Sequence, residues 1–122
     1  GNLLYRNDRN SRPLTKLKCI PIKKNMSWCD DIKSKKYYNK LIKVKKNLQF
    51  EKLYRRDYKY DFIIPINYNT RKTKIGAGSA IFMHLTKKYN PTAGCIALQK
   101  KDFLILLRLI NKNTKIKIAQ PL

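Results

Sequence analysis

Apolar residues in this chain fall mostly in short alternating runs, and only one stretch repeats them at helical spacing. Residues 1–13 are polar and basic up to Pro13 and predict no element. Leu14 to Ile22 alternates loosely, with Leu17, Cys19 and Pro21 on one side, and predicts a short strand. Residues 25–38 read as loop and hold the only tryptophan, Trp28. Residues 39–48 carry Leu41, Ile42 and Val44 among basic residues and fit a strand or a loop. At 50–58 the good helix formers Glu51, Lys52 and Leu53 predict a short helix.

The run YDFIIPINY at 60–68 predicts a strand, because aromatic and β-branched side chains suit a pleated, half-buried surface. Pro65 has no N–H for the ladder and places that strand at an edge or a bulge. A lysine-rich connection with Gly76 and Gly78 leads to a second strand, 79–85, with His84 near its end. A loop at 87–93 and a short strand at 94–98 follow. Apolar residues at 103, 104, 106, 107 and 110 predict a helix over 100–110, stopped by Asn111, Lys112 and Asn113. TKIKIA at 114–119 predicts a last strand with Ile116 and Ile118 inward. The class is mainly β with a packed helix (α+β), in one domain over 1–122.

Composition changes this picture little. Hydrophobic residues make up 43% of the chain, enough for an ordinary small core. No apolar run approaches the roughly 20 residues of a membrane span. The longest, Phe103 to Ile110, is interrupted by Arg108. The opening GNLLYRNDRNSR lacks the apolar stretch of a signal peptide, which a processed exported chain would already have lost.

Charge widens the choice of partners. The net charge of +22 attracts polyanions: nucleic acid, anionic lipid or an acidic wall polymer. Lysine far outnumbers arginine, and Lys, Asn and Ile together are what AT-rich coding favours, so much of this charge reads as solvated surface. The basic residues are spread along the chain without a nucleic-acid-binding motif, and no specific nucleic acid is expected.

The candidate chemistry lies in GSAIFMHLTKKYNPTAGCIAL, residues 78–98. It holds the only histidine, His84, and Cys95 directly after Gly94. A free thiol has a pKa near 8.5, and a neighbouring imidazole can take its proton and leave a strong nucleophile. Two adjacent strands would bring this pair together, and amides around Gly94 and Cys95 would face a tetrahedral oxyanion. No acidic residue lies close in sequence to orient His84, so a backbone carbonyl or a distant side chain must hold its tautomer. Cys19 and Cys29 fit a disulfide in an exported protein or two half-buried thiols, and their spacing is not that of a zinc site.

From about Tyr5 onward the chain resembles the YkuD-like L,D-transpeptidase catalytic-domain family. In that family a strand ends in the catalytic His, and a loop then leads to Ser/Thr-x-Gly-Cys, a helix and a closing strand. Ser79 to His84 and Thr92 to Leu98 carry these two motifs here. Further signatures are Tyr5-Arg6-x-Asp8-Arg9, Trp28-Cys29-Asp30-Asp31, Tyr38-Asn39, Glu51-x-Leu53-Tyr54-Arg55-x-Asp57, Tyr60-Asp61 and Tyr68-Asn69. His before Cys argues against NlpC/P60-type peptidases, where the Cys comes first. Many members have His before the Gly-Cys and Arg or Asn two residues after the Cys, where this chain has Ala93 and Ala97. Family domains usually begin with earlier strands, so the resemblance implies a shortened N-terminus or a fragment.

The resemblance implies a YkuD-like β-sandwich or barrel with Cys95 as nucleophile and His84 as general base. Gly94, Thr92 and Ser79 would form the site, with Thr92 orienting its loop and Ser79 supporting the His. Trp28, Asp30 and Asp31 would lie near the cleft, as substrate contacts or as a core anchor and turn residues. The implied activity is L,D-transpeptidation of peptidoglycan stem peptides, or L,D-carboxypeptidation when water is the acceptor. It needs no metal or organic cofactor. The implied setting is the periplasm or cell envelope, with contacts to anionic wall material, for a monomer. A non-enzymatic polyanion- or wall-binding module is the rival reading.

Overall fold

The computed structural model describes residues 1–44, 47–69, 73–87 and 95–117. Among these residues it is mostly β-sheet with one helix, an α+β fold. The order is β1 (Leu3–Tyr5), β2 (Cys19–Pro21), β3 (Met26–Cys29), β4 (Leu41–Lys43), β5 (Phe50–Lys52), β6 (Phe62–Pro65), β7 (Phe82–Leu85), β8 (Ile96–Leu98) and α1 (Lys100–Leu109).

Five strands form one sheet in the order β2-β1-β6-β7-β8, and three form a second in the order β4-β3-β5. In the large sheet β1 runs parallel to β2 and antiparallel to β6, β6 runs antiparallel to β7, and β7 runs parallel to β8. Successive strand residues point to opposite faces, and the two faces bury different cores. Leu3, Tyr5, Phe62, Ile64, Met83 and Leu85 meet Phe103 and Leu107 of α1. Leu4, Ile63 and Phe82 point the other way, onto Trp28 of β3 and Leu53. The large sheet is therefore the middle layer, between α1 and the small sheet.

Several expected elements are replaced. Residues 1–13 include β1, a fully buried inner strand whose three apolar residues the surrounding charge conceals. Residues 25–38, read as loop, contain β3, with Trp28 and Cys29 buried. Residues 39–48 supply β4. The helix expected over 50–58 does not form: Phe50–Lys52 pair with Cys29, Trp28 and Ser27, and ladder bonds override the propensity of Glu51 and Lys52. β6 is an inner strand, not an edge; Pro65 is tolerated because it is the last residue, beyond the pairing with β1. Residues 114–117 form no strand and Ile116 is 44% exposed, while Ile118 and Ala119 lie outside the described residues.

Two polar assemblies fix the loops. Arg6, 5% exposed, grips both carboxylate oxygens of Asp8 at 2.8 and 2.7 Å and donates to the Arg55 carbonyl at 2.6 Å. Its guanidinium lies 3.6 Å from the Tyr54 ring centroid. Arg9 donates to the carbonyls of Arg55, Arg56 and Asp57 and to the Asp61 carboxylate. The N-terminal turn thus clasps the β5–β6 connection. In the second assembly Asn39 accepts from the Trp28 indole at 3.0 Å and donates to the Tyr68 and Asn69 carbonyls. Asn39 and Asn69 both have positive φ, which asparagine tolerates better than most residues.

Candidate active site

β7 and β8 lie side by side in parallel, with Met83 opposite Ile96, His84 opposite Ala97 and Leu85 opposite Leu98. One residue further back, Cys95 falls beside Phe82. Paired residues share a face, so Cys95 and His84 are diagonal neighbours on the side away from α1. Diagonal neighbours in a sheet lie roughly 7–8 Å apart, with their Cβ atoms somewhat closer. Cys95 packs at the rim of the cluster around Trp28, Tyr60 and Phe82.

The imidazole is half-buried, and its Nδ1 lies 2.9 Å from the Leu85 carbonyl oxygen. A carbonyl only accepts, so Nδ1 carries the hydrogen and Nε2 keeps the lone pair. The Tyr60 ring stands edge-on to His84 at 5.6 Å and to Phe82 at 5.8 Å, limiting rotation of the imidazole. The Cys95 thiol lies 3.4 Å from the Ala80 carbonyl. Ala80 has a φ of 56°, a left-handed conformation rarely held by alanine, beside the candidate nucleophile.

Beyond Tyr60 lies a charged wall. The Tyr60 hydroxyl donates to Glu51 at 2.8 Å, and the Arg55 guanidinium lies 4.8 Å from the Tyr60 ring centroid. Burial, then the Glu51 carboxylate, pushes the Tyr60 phenol well above its usual range, so it stays a donor. Asp30 has one carboxylate oxygen buried with no hydrogen-bond partner. Burial raises its pKa, with the charges of Glu51 and Asp31 adding to the effect.

These residues fill the face between His84 and the small sheet. Their motifs, Glu51-x-Leu53 and Tyr60-Asp61, were visible in sequence. Their convergence was not, because it depends on β5 pairing with β3.

The family model of the YkuD L,D-transpeptidase catalytic domain matches residues 5–118. The chain belongs to that family. No curated protein and no solved structure gives a significant match. YkuD domains act on peptidoglycan and are typically associated with the cell envelope. Among the described residues, no helix is long and apolar enough to cross a membrane, and no three of His, Cys, Asp and Glu converge as a metal site.

Against the YkuD motifs, the remaining predicted residues divide. Thr92 and Gly94 lie outside the described residues, as does Ala93. The Ser79 hydroxyl donates to the Cys29 carbonyl at 2.8 Å, so it ties the approach to β7 onto β3. Trp28 is 8% exposed, stacks edge-on against Phe82 and donates to Asn39, the geometry of a core anchor. Asp31 accepts from the amides of Lys33 and Gln49 and serves the turn. Of the tryptophan–aspartate stretch, only Asp30 keeps an unpartnered polar atom. Cys19 and Cys29 are thiols and are not joined.

Asp30→Asn is expected to raise the melting temperature at pH 7 and leave it unchanged at pH 3. An unfolded aspartate loses its proton near 3.9, whereas folded Asp30 holds its proton to higher pH. Between these values the folded state binds more protons, so this residue's contribution to stability falls as pH rises. Asparagine removes that penalty, which is absent below both values. Thermal melts at pH 3, 5 and 7 check this, and an equal gain at every pH would instead point to packing.

Proposed function

We propose that this protein is a cysteine acyltransferase acting on peptidoglycan stem peptides in the cell envelope, as an L,D-transpeptidase. The observation that carries the reading is the His84 tautomer: Nδ1 is held by the Leu85 carbonyl, leaving Nε2 as a base on the Cys95 face. Nε2 takes the thiol proton, and the Cys95 sulfur attacks the carbonyl carbon of the scissile peptide bond. The C–N bond breaks, the imidazolium returns its proton to the leaving amine, and the terminal D-residue departs. The acyl group stays on Cys95 as a thioester. An amine of a second stem then attacks, loses its proton to His84, and expels the thiolate as a cross-link forms. Water in place of that amine makes the same site an L,D-carboxypeptidase. No step calls for a metal or an organic cofactor.

The test is incubation with purified tetrapeptide muropeptides, read by mass spectrometry. Cross-linked dimers, or stems shortened by one residue, are expected from the wild type, with a transient acyl adduct on the protein. Both should be absent with Cys95→Ala. A folded wild type giving neither product nor adduct sinks the reading.

A further inference from the structure

We propose that the outer face of α1 is a docking surface for an anionic phospholipid bilayer. The face lies on the far side of the large sheet from Cys95 and His84, and the inference does not depend on their chemistry. Phe103 and Leu107 turn α1 onto the sheet. The opposite stripe should then be polar in a helix with one buried face. Instead it carries Ile105 and Leu109, 58% and 76% exposed and one helical turn apart.

The apolar surface continues on both flanks. On one side Leu14, 74% exposed, shares a groove with Leu104 and Arg108. On the other, a cavity of about 1040 Å³ runs between Leu106, Ile110 and the half-exposed Ile116. Single exposed leucines are ordinary, but a run of them around one helix marks a contact surface.

The charge around this run selects the occupant. Lys101 and Arg108 flank the helix stripe, Arg12 lies beside Leu14, and Lys112, Lys115 and Lys117 follow the helix end; all are exposed. On α1 the only carboxylate is that of half-buried Asp102. Asp61, which lines a groove with Lys100 and Lys101, is already paired to Arg9. A second copy of the chain would bring these cations against their own kind. A nucleic acid would meet aliphatic side chains that offer no stacking surface. An anionic bilayer takes both parts: Ile and Leu enter the headgroup–acyl boundary, and the lysines and arginines sit among lipid phosphates.

The experiment is sedimentation of the full chain with vesicles of phosphatidylglycerol and phosphatidylcholine, against vesicles of phosphatidylcholine alone, at 0.1 and 0.5 M salt. Binding is expected to the anionic vesicles and to weaken with salt. Ile105→Ser with Leu109→Ser should lower it about tenfold or more, with an unchanged melting temperature because both side chains are exposed. Lys101→Gln with Arg108→Gln should lower it about 25-fold, on the order of fivefold per charge. The pair Lys40→Gln and Lys43→Gln, on the β3–β4 side of the small sheet, should leave it unaltered. Equal loss from that last pair, or no loss from the serine pair, would overturn the proposal in favour of diffuse attraction by net charge. So would failure to bind the vesicles, including the case where the serine pair abolishes a dimer instead.

Discussion

His84→Ala is expected to slow turnover of muropeptides by about 10³–10⁴-fold, and Cys95→Ala by at least as much. The argument starts from the thiol. Only a few per cent of a free cysteine is thiolate near neutral pH, so attack on an unactivated amide needs a base in place. His84 is the only histidine in the chain, so no second imidazole can take over. Its Nδ1–H is committed to the Leu85 carbonyl. His84→Gln keeps a polar side chain there but no base, and should be as slow as the alanine variant. Folding should be little changed, since the ring is half-buried and its Nδ1 hydrogen bond is to the next residue. Single-turnover acylation, read by intact mass beside thermal melts, separates the two effects. Rates within tenfold of wild type would remove His84 from the chemistry.

Arg6→Ala is expected to cost about 3 kcal/mol of stability. The side chain is only 6% exposed and makes a two-pronged contact with Asp8. It also bonds the Arg55 carbonyl and stacks on Tyr54, whose hydroxyl bonds the same Asp8. Alanine leaves that carbonyl without this donor, opens a void against Tyr54 and frees the turn after β1. Arg6→Lys should recover little, because an ammonium cannot reproduce the planar fork. Urea unfolding checks both variants, and a loss below about 1 kcal/mol would reduce the clasp to an ordinary surface ion pair.

Both predictions rest on residues that were legible in the sequence to different depths. That β7, with His84, lies beside β8, which follows Cys95, could be read because each stands in a strong local pattern: a β-branched and aromatic strand, and a Gly-Cys before a helix of helical period. The Arg6 clasp was visible only as a motif. Asp8 is two residues away, but nothing local tells Arg6 that Tyr54 and the Arg55 carbonyl, almost 50 residues on, complete the clasp. β1 and β3 were missed because three or four apolar residues within charged sequence carry too little pattern, and their burial comes from distant neighbours. The 50–58 segment was misread because helix propensity is a local preference worth tenths of a kcal/mol per residue, less than a ladder with β3 supplies. The tail at 114–117 shows the converse: it alternates as a strand should, yet forms none. The Ser79 tie to the Cys29 carbonyl is not legible, because a hydroxyl one strand-length before a histidine says nothing about which neighbouring backbone is closer.

The place of β1 has a consequence for synthesis. It precedes the other seven strands in sequence, yet it lies inside the sheet between β2 and β6. During synthesis Leu3 and Leu4 can pair with Cys19 and Ile20 of β2, but the other edge of β1 stays open until residue 63 arrives to pair with Leu4. Such long-range closure makes for slow folding, and for a period in which apolar strands invite wrong partners. The β7–β8 pair that sets His84 beside Cys95 is the last of the strand pairs in sequence. A chain stopped short of β8 holds His84 without the strand that seats Cys95 beside it, so the two meet only after the other seven strands have been made.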